Sequence, residues 1–86
     1  MNPAINKEAQ KEFQKTQKLF QQLEKQVNDL TEKKSKLEIE LASPDIYSNA
    51  DAFKKTETAY KDVMNQLQKA TKQYEEVFEK IMSMEQ

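Results

Sequence analysis

Two runs of residues, Ala9 to Leu41 and Phe53 to Met84, each hold an unbroken alternation of four- and three-residue steps between mainly apolar positions. The first run is Ala9, Phe13, Thr16, Phe20, Leu23, Val27, Leu30, Lys34, Leu37 and Leu41. The second is Phe53, Thr56, Tyr60, Val63, Leu67, Ala70, Tyr74, Val77, Ile81 and Met84. A stripe repeating every 3.5 residues is the heptad pattern of a left-handed coiled coil. Polar members such as Thr16 and Lys34 lower stability but help to fix register.

The segment Ala42-Ser43-Pro44-Asp45-Ile46-Tyr47-Ser48-Asn49 separates the runs. Pro44 cannot continue a regular helix without removing a hydrogen bond. It suits the first position of a new one, with Ser43 as N-cap and Asp45 near the positive end. Residues 44–47 therefore read as one helical turn. Asn49 is placed to cap a second long helix, with Asp51 in its first turn. The long helices are expected at about 6–42 and 50–84, with a bend at 43–49, in one domain covering 1–86. A linker this short makes them antiparallel. The expected fold class is all-α: a two-helix antiparallel coiled-coil hairpin with a short helical turn at the bend. Ile46 and Tyr47 are expected to fold over the open end of the seam.

Composition agrees. Apolar residues are 36% and charged residues 34% of the chain, too apolar-poor for a compact globule. Disorder and a long paired helix both tolerate that balance. The two maintained registers, a net charge of -1 and the absence of glycine decide for helix.

Antiparallel pairing must oppose a step of three with a step of three, and two registers do so. One faces Leu37 with Phe53, Lys34 with Thr56, Leu30 with Tyr60, Phe20 with Ala70 and Thr16 with Tyr74. The other places Lys34 against Val63 and Thr16 against Ile81. The first is favoured, because it sets polar groups opposite polar groups. An unpaired buried polar group costs about 1–3 kcal/mol.

Several chemistries are closed to this sequence. It contains no Cys and no His, hence no disulfide, no thiolate metal site and no imidazole base. Without glycine it has no phosphate-cradling loop. Carboxylate pairs such as Glu8 with Glu12 and Glu75 with Glu79 lie on outward faces, where nothing desolvates them to tune a pKa. The chain is therefore expected to be no enzyme and to bind no cofactor. No apolar run approaches the roughly 20 residues of a membrane span. No secretory signal pattern is visible, and the default location is cytoplasmic.

Binding is the chemistry left open. All 14 basic residues are lysines, which hold phosphates without the bidentate base contacts of arginine. Lys33, Lys34, Lys36, Lys54, Lys55 and Lys61 fall in the half nearest the bend, interspersed with Glu32, Glu38, Glu40, Asp51 and Glu57. Of these, Lys33, Lys36, Lys54, Lys55 and Lys61 are the candidate nucleic-acid contacts. The bland reading is ordinary surface pairing, such as Glu57 with Lys61. Tyr47 could stack on a partner or cover the coil end, and the cover role is the commoner one for such a residue. Phe78 lies beside the seam. Met64, Met82 and Met84 read as seam edges.

The bend sequence Leu37-Glu38-Ile39-Glu40-Leu41-Ala42-Ser43-Pro44-Asp45-Ile46-Tyr47 resembles the C-terminal coiled-coil domain of ABC-F ATPases, particularly the Uup type. That domain has a Leu-Glu-rich helix, a Pro-centred bend ending in Tyr, a polar cap and a second long helix, as Ser48-Asn49-Ala50-Asp51-Ala52-Phe53 supply here. Gln10-Lys11-Glu12-Phe13 is similar to its opening stretch. Phe78-Glu79-Lys80-Ile81 stands where the family often has Trp-Glu and Leu. The resemblance implies a C-terminal part of a larger soluble, cytoplasmic ATPase whose two ATP-binding cassettes lie N-terminal to it. ATP and Mg would belong to that parent protein. The domain itself would be a monomeric, non-membrane accessory that contacts DNA or ribosomal RNA. Two alternatives stay open. One is a structural or protein-interaction hairpin. The other is a coiled-coil arm of an aminoacyl-tRNA synthetase, which Tyr47 and a glycine-free bend fit less well.

Overall fold

The computed structural model describes residues 3–85, with side chains from Lys7 onward. Three helices follow one another: α1 (Pro3–Leu41), α2 (Pro44–Tyr47) and α3 (Ala50–Met84). α1 and α3 pack along their lengths as an antiparallel hairpin, a rod of 68 × 16 × 14 Å. α1 begins earlier than the expected Asn6. A proline is well tolerated there, because first-turn N–H groups have no helical partner.

The bend forms by the local chemistry its residues carry. Ser43 has extended backbone angles, and its carbonyl accepts the N–H groups of Ile46 and Tyr47, both at 3.0 Å. Its side chain makes no capping bond, contrary to expectation. The Ser48 hydroxyl instead closes the turn on the Pro44 carbonyl. Asn49 caps α3 as expected, with its Oδ1 accepting from the Ala52 N–H at 3.1 Å.

Both heptad stripes turn inward. Leu23, Leu30, Val63, Ala70 and Ile81 are buried, and Leu30, Val63 and Ala70 form one cluster against which Val27, Leu37 and Leu67 pack. Ala9 is the exception: it is exposed.

The register differs from the favoured one. The Tyr60 hydroxyl donates to a Glu38 carboxylate oxygen at 2.9 Å. With Tyr60 opposite Leu30, Glu38 would lie about 12 Å further along the axis, beyond that reach. Phe20 stacks on Tyr74 with ring centroids 4.7 Å apart and meets Phe78 at 6.0 Å, so it sits between their levels and not at Ala70. Both contacts fit the second register, in which Tyr60 faces Leu37 and Phe20 faces Val77. In that register α3 ends before it reaches the level of Ala9.

The polar matching that favoured the first register is not needed. Thr16 and Thr56 are both buried, but each satisfies its hydroxyl within its own helix. Thr16 donates to the Glu12 carbonyl at 2.8 Å and Thr56 to the Ala52 carbonyl at 2.9 Å. Among the described residues no buried side-chain nitrogen or oxygen lacks a partner. Lys34 is only half-buried, as a long stem with its head in water allows.

At the closed end α2 packs mainly on α3 and Ile46 is half-buried. Tyr47 does not share that cover: it is 57% exposed. A four-residue helix with Ile46 turned inward directs the next residue about 100° away.

Candidate nucleic-acid interface

The lysines named from the sequence do not gather into one patch. Lys36 pairs with Glu32 at 3.7 Å and Lys61 with Glu57 at 3.6 Å. Both are exposed i,i+4 pairs and add little stability. Each nevertheless carries its own counter-charge and is a poorer site for a phosphate. Lys54 and Lys55 border a shallow depression on the outer side of α3, together with Asp51 and Thr58. Lys33 lies elsewhere, in the groove between the long helices with Leu30 and Gln66. Tyr47 stands exposed at the bend.

A second set of lysines, which distance from the bend did not single out, is more coherent. Lys11, Lys15 and Lys18 share one side of α1 with Gln14, Gln17 and Gln21, and no carboxylate lines that surface. Their spacing of four and three residues was legible in the sequence. Lys15 and Lys18 also border the interhelical groove beside Leu19, Gln22 and Lys80. Across that groove Lys80 pairs with Glu12 at 3.3 Å.

The two edges of the hairpin differ in charge. In antiparallel pairing one flank brings together the residues just before each helix's first core position, and the other flank those just after each second core position. The Glu12–Lys80 pair marks the first flank. The core-bordering positions of the opposite flank include Glu24, Glu38 and Glu57 with Met64 and Phe78, and Lys61 pairs with Glu57 beside them. Met64 and Phe78 are 43% and 48% exposed.

On this acidic flank Tyr60 is held above its ordinary pKa of 10.0, first by the hydrogen bond to Glu38, then by desolvation and by the carboxylate's charge. A raised pKa on folding means that the bond contributes fully below the unfolded value and is lost as pH rises through the folded one. Tyr60→Phe is therefore expected to lower the melting temperature slightly at neutral pH. The gap from the parent protein should close as pH rises past about 10. Thermal melts of both proteins across that range check this; a gap that stays constant contradicts it.

Among the described residues no helix is long and apolar enough to cross a membrane. None of them form a group of three or more acidic, His or Cys side chains able to hold a metal ion.

The model of the ABC transporter C-terminal domain family matches residues 10–79. No curated protein and no solved structure matches the chain.

Proposed function

Because this chain belongs to the ABC transporter C-terminal domain family, we propose that it is a non-catalytic accessory arm of an ABC-F ATPase that contacts nucleic acid, DNA or ribosomal RNA, through its lysine-bearing surface. ATP and Mg act in the parent protein's cassettes, and the assembly works in the cytoplasm. One observation carries the contact. A chain of net charge -1 still presents a surface lined by Lys11, Lys15, Lys18 and glutamines alone. Lysines and side-chain amides bind phosphate and sugar oxygens, which positions a nucleic acid without reading its sequence. Lys33 adds a contact, and Lys36, Lys54, Lys55 and Lys61, of which Lys36 and Lys61 already hold a carboxylate, contribute more weakly toward the bend, where the exposed Tyr47 offers a ring for stacking.

Titration with duplex DNA and with structured RNA at about 50 mM and about 200 mM salt tests the reading. Weak, sequence-tolerant binding that falls steeply with salt is expected. No binding to either at low salt contradicts it.

The exposed Met64 and Phe78 on the acidic flank favour a second reading, a hairpin that packs against another protein. It predicts that changing Lys33, Lys36, Lys54 and Lys55 to Gln alters nothing. It also predicts sedimentation that depends on concentration if Leu19, Ile39 and Met64 mediate self-association.

A further inference from the structure

Resting on the nucleic-acid reading, we infer that the groove between α1 and α3 on the Glu12–Lys80 side is a track for the sugar–phosphate backbone of a duplex, centred on Lys15, Lys18 and Lys33. The groove runs in two stretches that share Gln22. From Glu12 to Lys33 it follows α1 for about 32 Å. Its charged members are Lys15, Lys18, Lys25, Lys33 and Lys80 against Glu12 and Asp29.

Both carboxylates are already engaged. Glu12 pairs with Lys80 at 3.3 Å and Asp29 with Lys25 at 3.2 Å. Among the described residues Lys15, Lys18 and Lys33 have no such partner. Subtracting the two pairs from the five lysines leaves these three as net positive charge. Gln22 and Gln26 supply uncharged donors between them, while the Gln66 amide donates to Asp62 at 2.9 Å and so brings one further carboxylate to the α3 edge of the groove. Antiparallel pairing produces this arrangement, because Lys80 and Gln66 of α3 directly precede the core positions Ile81 and Leu67 and so share an edge with Glu12 and Lys33, which precede Phe13 and Lys34 of α1.

The choice of a duplex follows from what the groove lacks and from its stiffness. Binding of single strands relies on aromatic platforms for base stacking. No aromatic residue lines this groove. Phe20, Tyr74 and Phe78 stack among themselves instead. A straight row of lysines on a rigid helix matches phosphates held at fixed spacing better than a chain free to coil. With lysine in place of arginine, contact is to the backbone and not to base edges.

The test compares the parent protein with Lys15→Gln/Lys18→Gln/Lys33→Gln, with Lys36→Gln/Lys54→Gln/Lys55→Gln, and with the charge-conserving Lys15→Arg/Lys18→Arg/Lys33→Arg. Circular dichroism first establishes that each remains helical. Each is titrated with duplex DNA, duplex RNA and a single strand over a salt series. In the plot of log K against log salt, the groove variant should lose about 2–3 of the slope on duplex, near 0.9 per phosphate contact. The bend variant should lose less than about 1, and the arginine variant should bind like the parent. Equal losses in the groove and bend variants overturn the track, as does tighter binding of the single strand than of either duplex. No binding by the parent protein overturns the nucleic-acid reading itself. Parent binding that survives the groove changes overturns only the track.

Discussion

Leu30→Ala is expected to lower the melting temperature by at least about 10 °C, the shift that about 2–5 kcal/mol produces in a domain of this size. Leu30 is 8% exposed and belongs to the buried cluster with Val63 and Ala70. A two-helix rod has only a narrow stripe of core and cannot collapse from a third side to fill a void. The transfer and cavity losses therefore both persist. Ile39 is the matched control: it is 72% exposed, and Ile39→Ala should change stability by about 0.5 kcal/mol or less. Melts of the two variants decide the matter. Equal losses would mean that the stripe through Leu30 is not the core.

Ala70→Leu tests the same core from the opposite direction. Ala70 is 1% exposed, the most enclosed side chain among the described residues. Leu and Ala have similar helix propensities, so α3 itself loses little. The cost comes from three extra carbons forced between helices packed around a small residue, typically about 1–3 kcal/mol. Ala59 is exposed on the same helix, and Ala59→Leu should be nearly neutral. A stabilising Ala70→Leu, measured by denaturant unfolding, would show that the helices stand further apart there.

The elements of the fold were legible because each is set by local chemistry. Heptad spacing marked both helices, and Pro44 and Asn49 marked where one ends and the next begins. Register was harder to read. The sequence shows that Thr16 and Thr56 lie in the stripe, but not that each hydroxyl turns back to its own helix at 2.8 and 2.9 Å. Cross-helix polar matching then carried a weight it does not have. Tyr47 fails for a related reason: which of two neighbours covers the seam depends on how a one-turn helix is rotated, and Ile46 takes that place. Lys33, Lys36, Lys54, Lys55 and Lys61 are close to the bend in the sequence, whereas charge on a rod is organised by face. The spacing of Lys11, Lys15 and Lys18 on one side of α1 was in the sequence throughout. Which α1 residues stand level with Lys80 and Gln66 was not, since the axial level depends on the register.

The lysine-bearing groove exists only where α1 and α3 pair within one molecule. The chain has no cysteine among its described residues and none in its sequence, so two spin labels can be placed cleanly through Glu12→Cys and Lys80→Cys. These positions are 68 residues apart in the chain, yet their side chains meet at 3.3 Å. Replacing one exposed ion pair should leave the fold intact. Pulsed dipolar spectroscopy is expected to give a short distance, set mainly by the label linkers, that persists when labelled protein is diluted with unlabelled protein. A separation approaching about 100 Å, the length of a continuous helix between the two sites, or a short distance that disappears on dilution, contradicts the hairpin.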